Sequence, residues 1–411
     1  MAERVIARRL LALLRHNRSF RHLFLAQMLG TGAYWFVQIP VLVLLYELTG
    51  GGLWGALTLA ADTGMVALLL PYAGTVVDRV DRRRVMLTAN ATQIAAVTPL
   101  LTVRSADSAW VAVAAVAALA AGAAFYRPAA WSALPNLVAP ADLATANAAA
   151  GSAYGTVSVV ASSVGGLLVA VFDPYLPFLL TMVVLAVALV LVRGIREPFQ
   201  AGRAAGAERT WFAIAEGMRY VWRRPHVRAL VTVKSAVGLG NGALTIYPLL
   251  AASMGVGAAG TGLLFAVRGL GILLGPFVLN RVLAGGGRLM PGLALSMAAF
   301  GLSYVGAAAM PTFVGVLAFV LIAHIAASSN WALSSCALQE VVPDELRGRI
   351  VAVDIMLSTC AVTLSQLAVG AVVGLFDIRA LLAACGATTV VYAILWRLAT
   401  VAATPTARPL R

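Results

Sequence analysis

Long apolar runs recur along this chain, many of them free of charge for about the 20 residues that cross a bilayer as a helix. We place spans near 20–46, 53–77, 84–103, 109–134, 142–171, 175–193, 227–251, 258–282, 289–309, 312–337, 346–374 and 377–398. Apolar residues make up 61% of the sequence and charged residues 11%, where a soluble domain runs at about 45–50% and about 25%. Such an excess has no water-exposed surface to occupy. A membrane barrel would show short alternating segments instead of unbroken runs. The expected class is therefore all-α and polytopic, with twelve transmembrane helices.

Charge placement orients those helices. The net charge is +14, and 26 of the 30 basic residues fall on one side of the expected topology. The positive-inside rule then puts both termini in the cytoplasm of a multi-pass protein of the inner (plasma) membrane. No single patch carries that charge, which argues against nucleic acid; an anionic inner leaflet is the expected partner for the arginines. Cys336, Cys360 and Cys385 lie in apolar segments without C-x-x-C spacing, so neither a disulfide framework nor a metal site is expected. The Arg-rich start lacks a cleavage site and reads as a retained helix.

The longest polar stretch divides the chain into an N-terminal bundle (1–193), a linker (194–226) and a C-terminal bundle (227–411). Within the linker, Trp211, Ile214, Ala215, Met218, Val221 and Trp222 recur at helical spacing, which predicts an amphipathic helix on the inner leaflet. The two bundles echo each other: Pro140, Asp142 and Leu143 correspond to Pro343, Glu345 and Leu346 at a constant offset of 203 residues. Asp78-Arg79-Val80 is likewise echoed by Asn280-Arg281-Val282. Six helices repeated in one orientation imply two parallel, pseudo-symmetric bundles with a cavity between them.

The loop after the second span reads Gly74-Thr-Val-Val-Asp78-Arg79-Val-Asp81-Arg82-Arg83-Arg84. It resembles the G-x-x-x-D-R-x-x-R-R signature of the major facilitator superfamily, at the position where that family carries it. Asp81 with the arginines, and the L-P-N-L-V-x-P-x-D-L segment of the next loop on that side, look like the branch of enterobactin, macrolide and lysophospholipid exporters. The resemblance implies a conformational latch in which Gly74, Asp78, Arg79, Arg82 and Arg83 face Arg347 and Arg349 at the start of span eleven; a plain topology anchor is the alternative. Two antiporter marks are missing. Ala161-Ser162 stands where span five would carry Gly-Pro, and span four has no arginine near its middle, Arg127 lying nearer the cytoplasmic end.

An ionisable side chain at mid-bilayer costs about 2.5–3.5 kcal/mol on insertion scales, so each one invites a reason. Asp62, well inside span two, is the first proton-coupling candidate, followed by Asp354 in span eleven and His324 in span ten; a permanently neutral or merely packed group is the bland reading for each. Asp354 is also a candidate partner for span two. Lys234, the sole lysine, reads as a snorkelling side chain. Tyr34, Trp35, Gln38, Arg268, Asn330 and Trp331 are candidates for the cavity wall, where aromatic and amide groups suit a bulky amphipathic molecule. Gly151/Gly155, Gly271/Gly275 and Gly370/Gly374 have the spacing that lets helices pack closely, and Gly238, Gly240 and Gly242 read as a flexible point in span seven.

No phosphate-binding loop, H-E-x-x-H or G-x-S-x-G occurs, so no enzyme, ATPase or cofactor is expected. The resulting expectation is a secondary exporter of a small amphipathic molecule (a drug, siderophore or other natural product), working as a monomer by alternating access with protons as coupling ion. A lysophospholipid flippase of the same fold is the alternative, ahead of a membrane enzyme or receptor.

Overall fold

The computed structural model describes residues 10–199, 210–283 and 289–403, and among them the chain is helical with no strand. Among the described residues, twelve helices are long and apolar enough to span a membrane: Arg18–Thr49, Leu53–Arg79, Arg82–Thr102, Ala106–Leu137, Pro140–Val171, Tyr175–Arg193, Pro225–Ser253, Gly257–Phe277, Leu289–Ala309, Phe313–Val341, Leu346–Val372 and Ile378–Val401. A helix satisfies its backbone internally, which hydrocarbon surroundings demand. Their outward faces are aliphatic: Val183, Val187 and Val190 on the sixth span, and Val391, Ile394, Leu395 and Leu398 on the twelfth, are all exposed. In water such stripes would be unfavourable; facing lipid they are expected.

Several turns between spans are short and capped. Gly50 closes the first span in a left-handed conformation with φ of +67°, which a side chain disfavours. Asp81 accepts from the Arg84 backbone N–H at 2.9 Å and starts span three. Asp173 and Asp377 cap spans six and twelve in the same way. Asn17 caps span one through Phe20 and also donates to the Leu137 carbonyl at 2.7 Å, tying the start of span one to the end of span four.

The described residues form two compact units. The first runs through residue 199 and includes Gly255–Ala266; the second takes residues from 210 to Met254 and from Val267 onward. One core of the first unit gathers Phe20, Met86, Ala133, Val192 and Phe199, and another gathers Val41, Val97, Val116 and Phe178. The second unit packs around Leu230, Val233, Met297, Val353 and Trp396.

The linker helix Thr210–Arg223 departs from the leaflet-lying helix expected of its pattern. Val221 is fully buried in the second unit's core, with Ile214 and Met218 packed beside it. Its Glu216 forms an ion pair with Arg349 of span eleven, and Gly217 packs against the Arg349 carbonyl. Trp222 remains exposed; the Trp211 side chain lies outside the described residues. Seating this apolar face on protein removes it from lipid and water alike.

Glycine spacing also needs refinement. Gly271 and Gly275 bring span eight against span ten, since a Cβ at Gly275 would lie 2.6 Å from the Ile325 carbonyl oxygen. No such approach exists at Gly151 or Gly374 within their own units. The glycines of span seven are closely packed, since a Cβ at Gly238 would meet Ser358 O at 2.9 Å and one at Gly240 would meet Phe300 at 2.4 Å, and just after Gly240 the span changes from α-helix to a 3-10 segment over Asn241–Ile246. Gly275→Ala should therefore destabilise the protein by about 1–3 kcal/mol through overpacking, lowering the thermal midpoint in detergent, while Gly374→Ala should leave it unchanged. Equal midpoints for the two variants would count against this packing.

Candidate functional site

Spans one, three, four and five of the first unit enclose a cavity of about 310 Å³. Its polar lining comes from Gln27, Tyr34, Asn90, Gln93, Tyr126 and Arg127. Met28, Leu119 and Trp131 supply apolar wall. The helical register explains the set: Asn90 and Gln93 are three residues apart on span three and so share a face, and Tyr126 and Arg127 follow an alanine-rich stretch of span four that leaves space before them.

Two features give the cavity chemical character. Asp62, 7% exposed, accepts a hydrogen bond of 2.9 Å from the Tyr34 hydroxyl, so a span-two carboxyl is tied to the wall through one phenol. The Arg127 guanidinium lies 5.9 Å from the Tyr34 ring centroid, and its charge acts on Asp62. Meanwhile Asn90 Nδ2 and Tyr126 OH are buried with no hydrogen-bond partner among the described residues. An unmade buried hydrogen bond costs about 1–3 kcal/mol. These groups therefore favour a molecule that offers them an acceptor or a donor.

The second unit holds two further polar clusters. In the first, Lys234 pairs with Asp354, their side chains only 1% and 3% exposed. Ser335 Oγ lies 2.9 Å from the ammonium, and the Trp331 ring centroid lies 4.7 Å from it. Lys234 therefore does not snorkel, and Asp354 serves span seven where span two was expected. The pairing has a clear cause: both charges are too deep to reach water, and each neutralises the other. In the second cluster, the Tyr247 and Tyr304 hydroxyls are 2.8 Å apart, and Tyr304 OH lies 3.0 Å from His324 Nε2. Arg268 is near enough for its charge to act on all three.

The remaining candidates are distributed differently from the sequence reading. Trp35 is buried edge-on to Tyr34, at 5.1 Å between centroids, and Gln38 is buried with neither amide atom hydrogen-bonded among the described residues. Asn330 is turned inward, donating to Ser296 Oγ at 2.8 Å and to the Leu293 carbonyl, so its amide packs span ten on span nine. Trp331 is 45% exposed and holds the Lys234 ammonium. Asn90, Gln93 and Tyr126 were missed; two amides three residues apart in an otherwise apolar span were the available signal. Arg127, although nearer the cytoplasmic end of its span, lines the cavity.

In the basic loop, Arg82 donates to the Ser132 carbonyl at 2.7 Å and to the Phe199 carbonyl at 3.2 Å, and Arg83 lies 5.1 Å over the Phe199 ring. These two arginines clip the start of span three to the ends of spans four and six. Nearby, the Ser19 hydroxyl donates to Glu197 and, with backbone hydrogen bonds, holds its carboxyl below the usual carboxylate range. Within its own unit nothing lies within 4 Å of a Cβ at Gly74, so no close approach there explains that glycine. Asp78 and Arg79 are exposed in the first unit. Arg347 and Arg349 belong to the second, where Arg349 pairs with Glu216.

A family model described as Major Facilitator Superfamily matches residues 23–247. The multidrug efflux pump Tap of Mycobacterium tuberculosis and of Mycobacterium bovis is 33% identical over 209 residues, 47% of this chain and 48% of the pump. The chain thus matches about half the length of these curated relatives. Among solved structures, the nucleoside transporter NupG superposes with a TM-score of 0.76 at 14% identity, covering 93% of this chain and 99% of that one. A POT family transporter in complex with 5-aminolevulinic acid gives 0.76 at 10% identity, covering 95% and 97%. A bacterial homologue of the human lysosomal transporter Spinster gives 0.68 at 16% identity, covering 93% and 97%.

The buried pair yields a direct prediction. Lys234→Met or Asp354→Leu alone leaves one uncompensated buried charge and should cost about 3–5 kcal/mol, whereas the double variant should return close to wild type. Thermal midpoints in detergent measure this; strictly additive losses would show that the two groups act independently.

Proposed function

This chain belongs to the major facilitator superfamily, and we propose that it is a secondary exporter of small amphipathic molecules, coupled to protons through Asp62. That it is a multi-pass membrane transporter follows from its twelve apolar helices and its family. The substrate class and the coupling ion are the proposal, and one observation carries them: the buried Asp62 carboxyl is hydrogen-bonded to Tyr34, a residue of the cavity wall.

The chemistry runs as a competition. With Asp62 ionised, Tyr34 donates to it and Arg127 balances its charge, leaving the cavity set for substrate. A proton arriving at Asp62 weakens the Tyr34 bond, since a neutral carboxyl is a poorer acceptor, and leaves Arg127 uncompensated. Substrate and proton then each disfavour the other, which is the reciprocal coupling an antiporter needs. Apolar wall with scattered amides suits a molecule with one polar end. The efflux pump named among the relatives supports this direction of transport. Asp354 and His324 are the secondary proton sites of the same proposal.

In the same reading, the protein is a monomer of the bacterial inner membrane with both termini in the cytoplasm and bundles bounded at 1–193 and 227–411. Gly74, Asp78 and Arg79 form one side of a cytoplasmic latch and Arg347 and Arg349 the other, with Arg82 and Arg83 bracing the loop from behind.

Purified protein in liposomes with an imposed pH gradient tests the coupling, with ethidium as the transported probe. Asp62→Asn should abolish gradient-driven movement while leaving the protein folded, and Tyr34→Phe should shift its pH dependence; unchanged transport by Asp62→Asn would remove Asp62 from the mechanism. Transport of lysophospholipid and not of ethidium would favour the flippase reading. For the latch, Asp78→Asn should raise labelling of single cysteines on the cytoplasmic side of the cavity, and an unaltered pattern would leave the loop as an anchor.

A further inference from the structure

A second groove lies on the outside of the first unit. Spans two and three both pack closely on span four but hardly touch each other. The gap between them has a volume of about 320 Å³. Val76 and Val80 form one wall, Val85, Ala89 and Thr92 the other, and Gly122 and Phe125 of span four form the floor. Arg84 lies at the end nearest the basic loop.

The three consecutive arginines of that loop have different surroundings. Arg82 is bonded to two carbonyls and Arg83 sits over Phe199. Arg84 is exposed, and its guanidinium has no hydrogen-bond or ion-pair partner among the described residues. Asp81, the nearest carboxylate in sequence, is turned onto the Arg84 backbone N–H as a helix cap. The loop carries four arginines against two aspartates between residues 78 and 84, so its field is positive. The Thr88 hydroxyl is bonded back to the Arg84 carbonyl at 2.9 Å, leaving the groove below Arg84 largely apolar.

Dimensions narrow the occupant. From Arg84 to Thr92 the helix rises about 12 Å, against about 15 Å for one leaflet of a hydrocarbon core about 30 Å thick. A cation at one end and an apolar trough of nearly leaflet depth below it match a single acyl chain hung from an acidic headgroup. We propose that this groove binds one anionic phospholipid, with its phosphate on the Arg84 guanidinium and one acyl chain along Val76, Val80, Val85, Ala89 and Phe125. This site is separate from the transport cavity and stands whether or not Asp62 couples protons.

Native mass spectrometry of the full chain in detergent, supplemented with equal palmitoyl-oleoyl phosphatidylglycerol and phosphatidylcholine, tests it. The wild type should retain one phosphatidylglycerol in preference to phosphatidylcholine. Arg84→Gln should weaken phosphatidylglycerol retention about fivefold, the equivalent of about 1 kcal/mol per basic residue at an anionic surface, with phosphatidylcholine unchanged. Thr92→Trp, filling the trough from an exposed position, should weaken retention of both lipids; Val80→Trp does so from the opposite wall if the first variant folds poorly by circular dichroism. Equal phosphatidylglycerol retention by wild type and Arg84→Gln would overturn the proposal. So would retention insensitive to filled grooves, or displacement of the lipid by an equal concentration of inorganic phosphate, which would mark a site for a free anion.

Discussion

The cost of isolating charge from water governs this molecule more than any other constraint. Twelve apolar helices leave a chain with few places to put an ionisable group, and several of those found there are held by a particular neighbour. Lys234 has Asp354, Ser335 and the face of Trp331. Asp62 has the Tyr34 hydroxyl and the field of Arg127. His324 has Tyr304, and Tyr304 has Tyr247. Phenols recur because a Tyr offers a hydroxyl on a large apolar ring, and so carries a hydrogen bond into an apolar interior at little further polar burial.

The two units use this chemistry differently. In the second, polar groups largely close on one another: Asn330 on Ser296, Lys234 on Asp354, tyrosine on tyrosine on histidine. The first unit instead has Asn90 and Tyr126 presenting unmade hydrogen bonds around a cavity, with Arg127 also lining it. Closed networks hold helices in one arrangement; an open one favours whatever molecule completes it.

Local information in the sequence was enough to find the spans. Their positions follow from unbroken hydrophobicity, whereas the caps at Gly50, Asp81, Asp173 and Asp377 come from the structure, although their turn chemistry is local. Pairing across the bundle was not legible in the same way. Lys234 and Asp354 are separated by 120 residues, and nothing in either segment announces the other. A lysine near a helix end has a cheap alternative in snorkelling, so its local context argued for the wrong outcome. Arg127 was discounted by depth along its helix, yet a long side chain displaces its charge by several ångströms from its Cα. The linker helix was misjudged for a related reason: an amphipathic pattern says that one face is buried, but not whether lipid or protein buries it.

The internal repeat sharpens the meaning of Asp62. Spans one and two correspond to spans seven and eight, and Asp62 and Arg268 lie at nearly equivalent depths in their halves. In the first unit a tyrosine of span one bonds the carboxylate of span two. In the second, Tyr247 of the span-seven segment lies within the field of Arg268 of span eight. Each half thus sets a tyrosine of its first helix near the ionisable group of its second, at different register positions and with the sign of the charge inverted. An arginine stays charged at any physiological pH, whereas a carboxyl can take up a proton. Of the two repeat-related positions, only the one in the first unit can change its charge, and it is the one whose tyrosine lines the cavity.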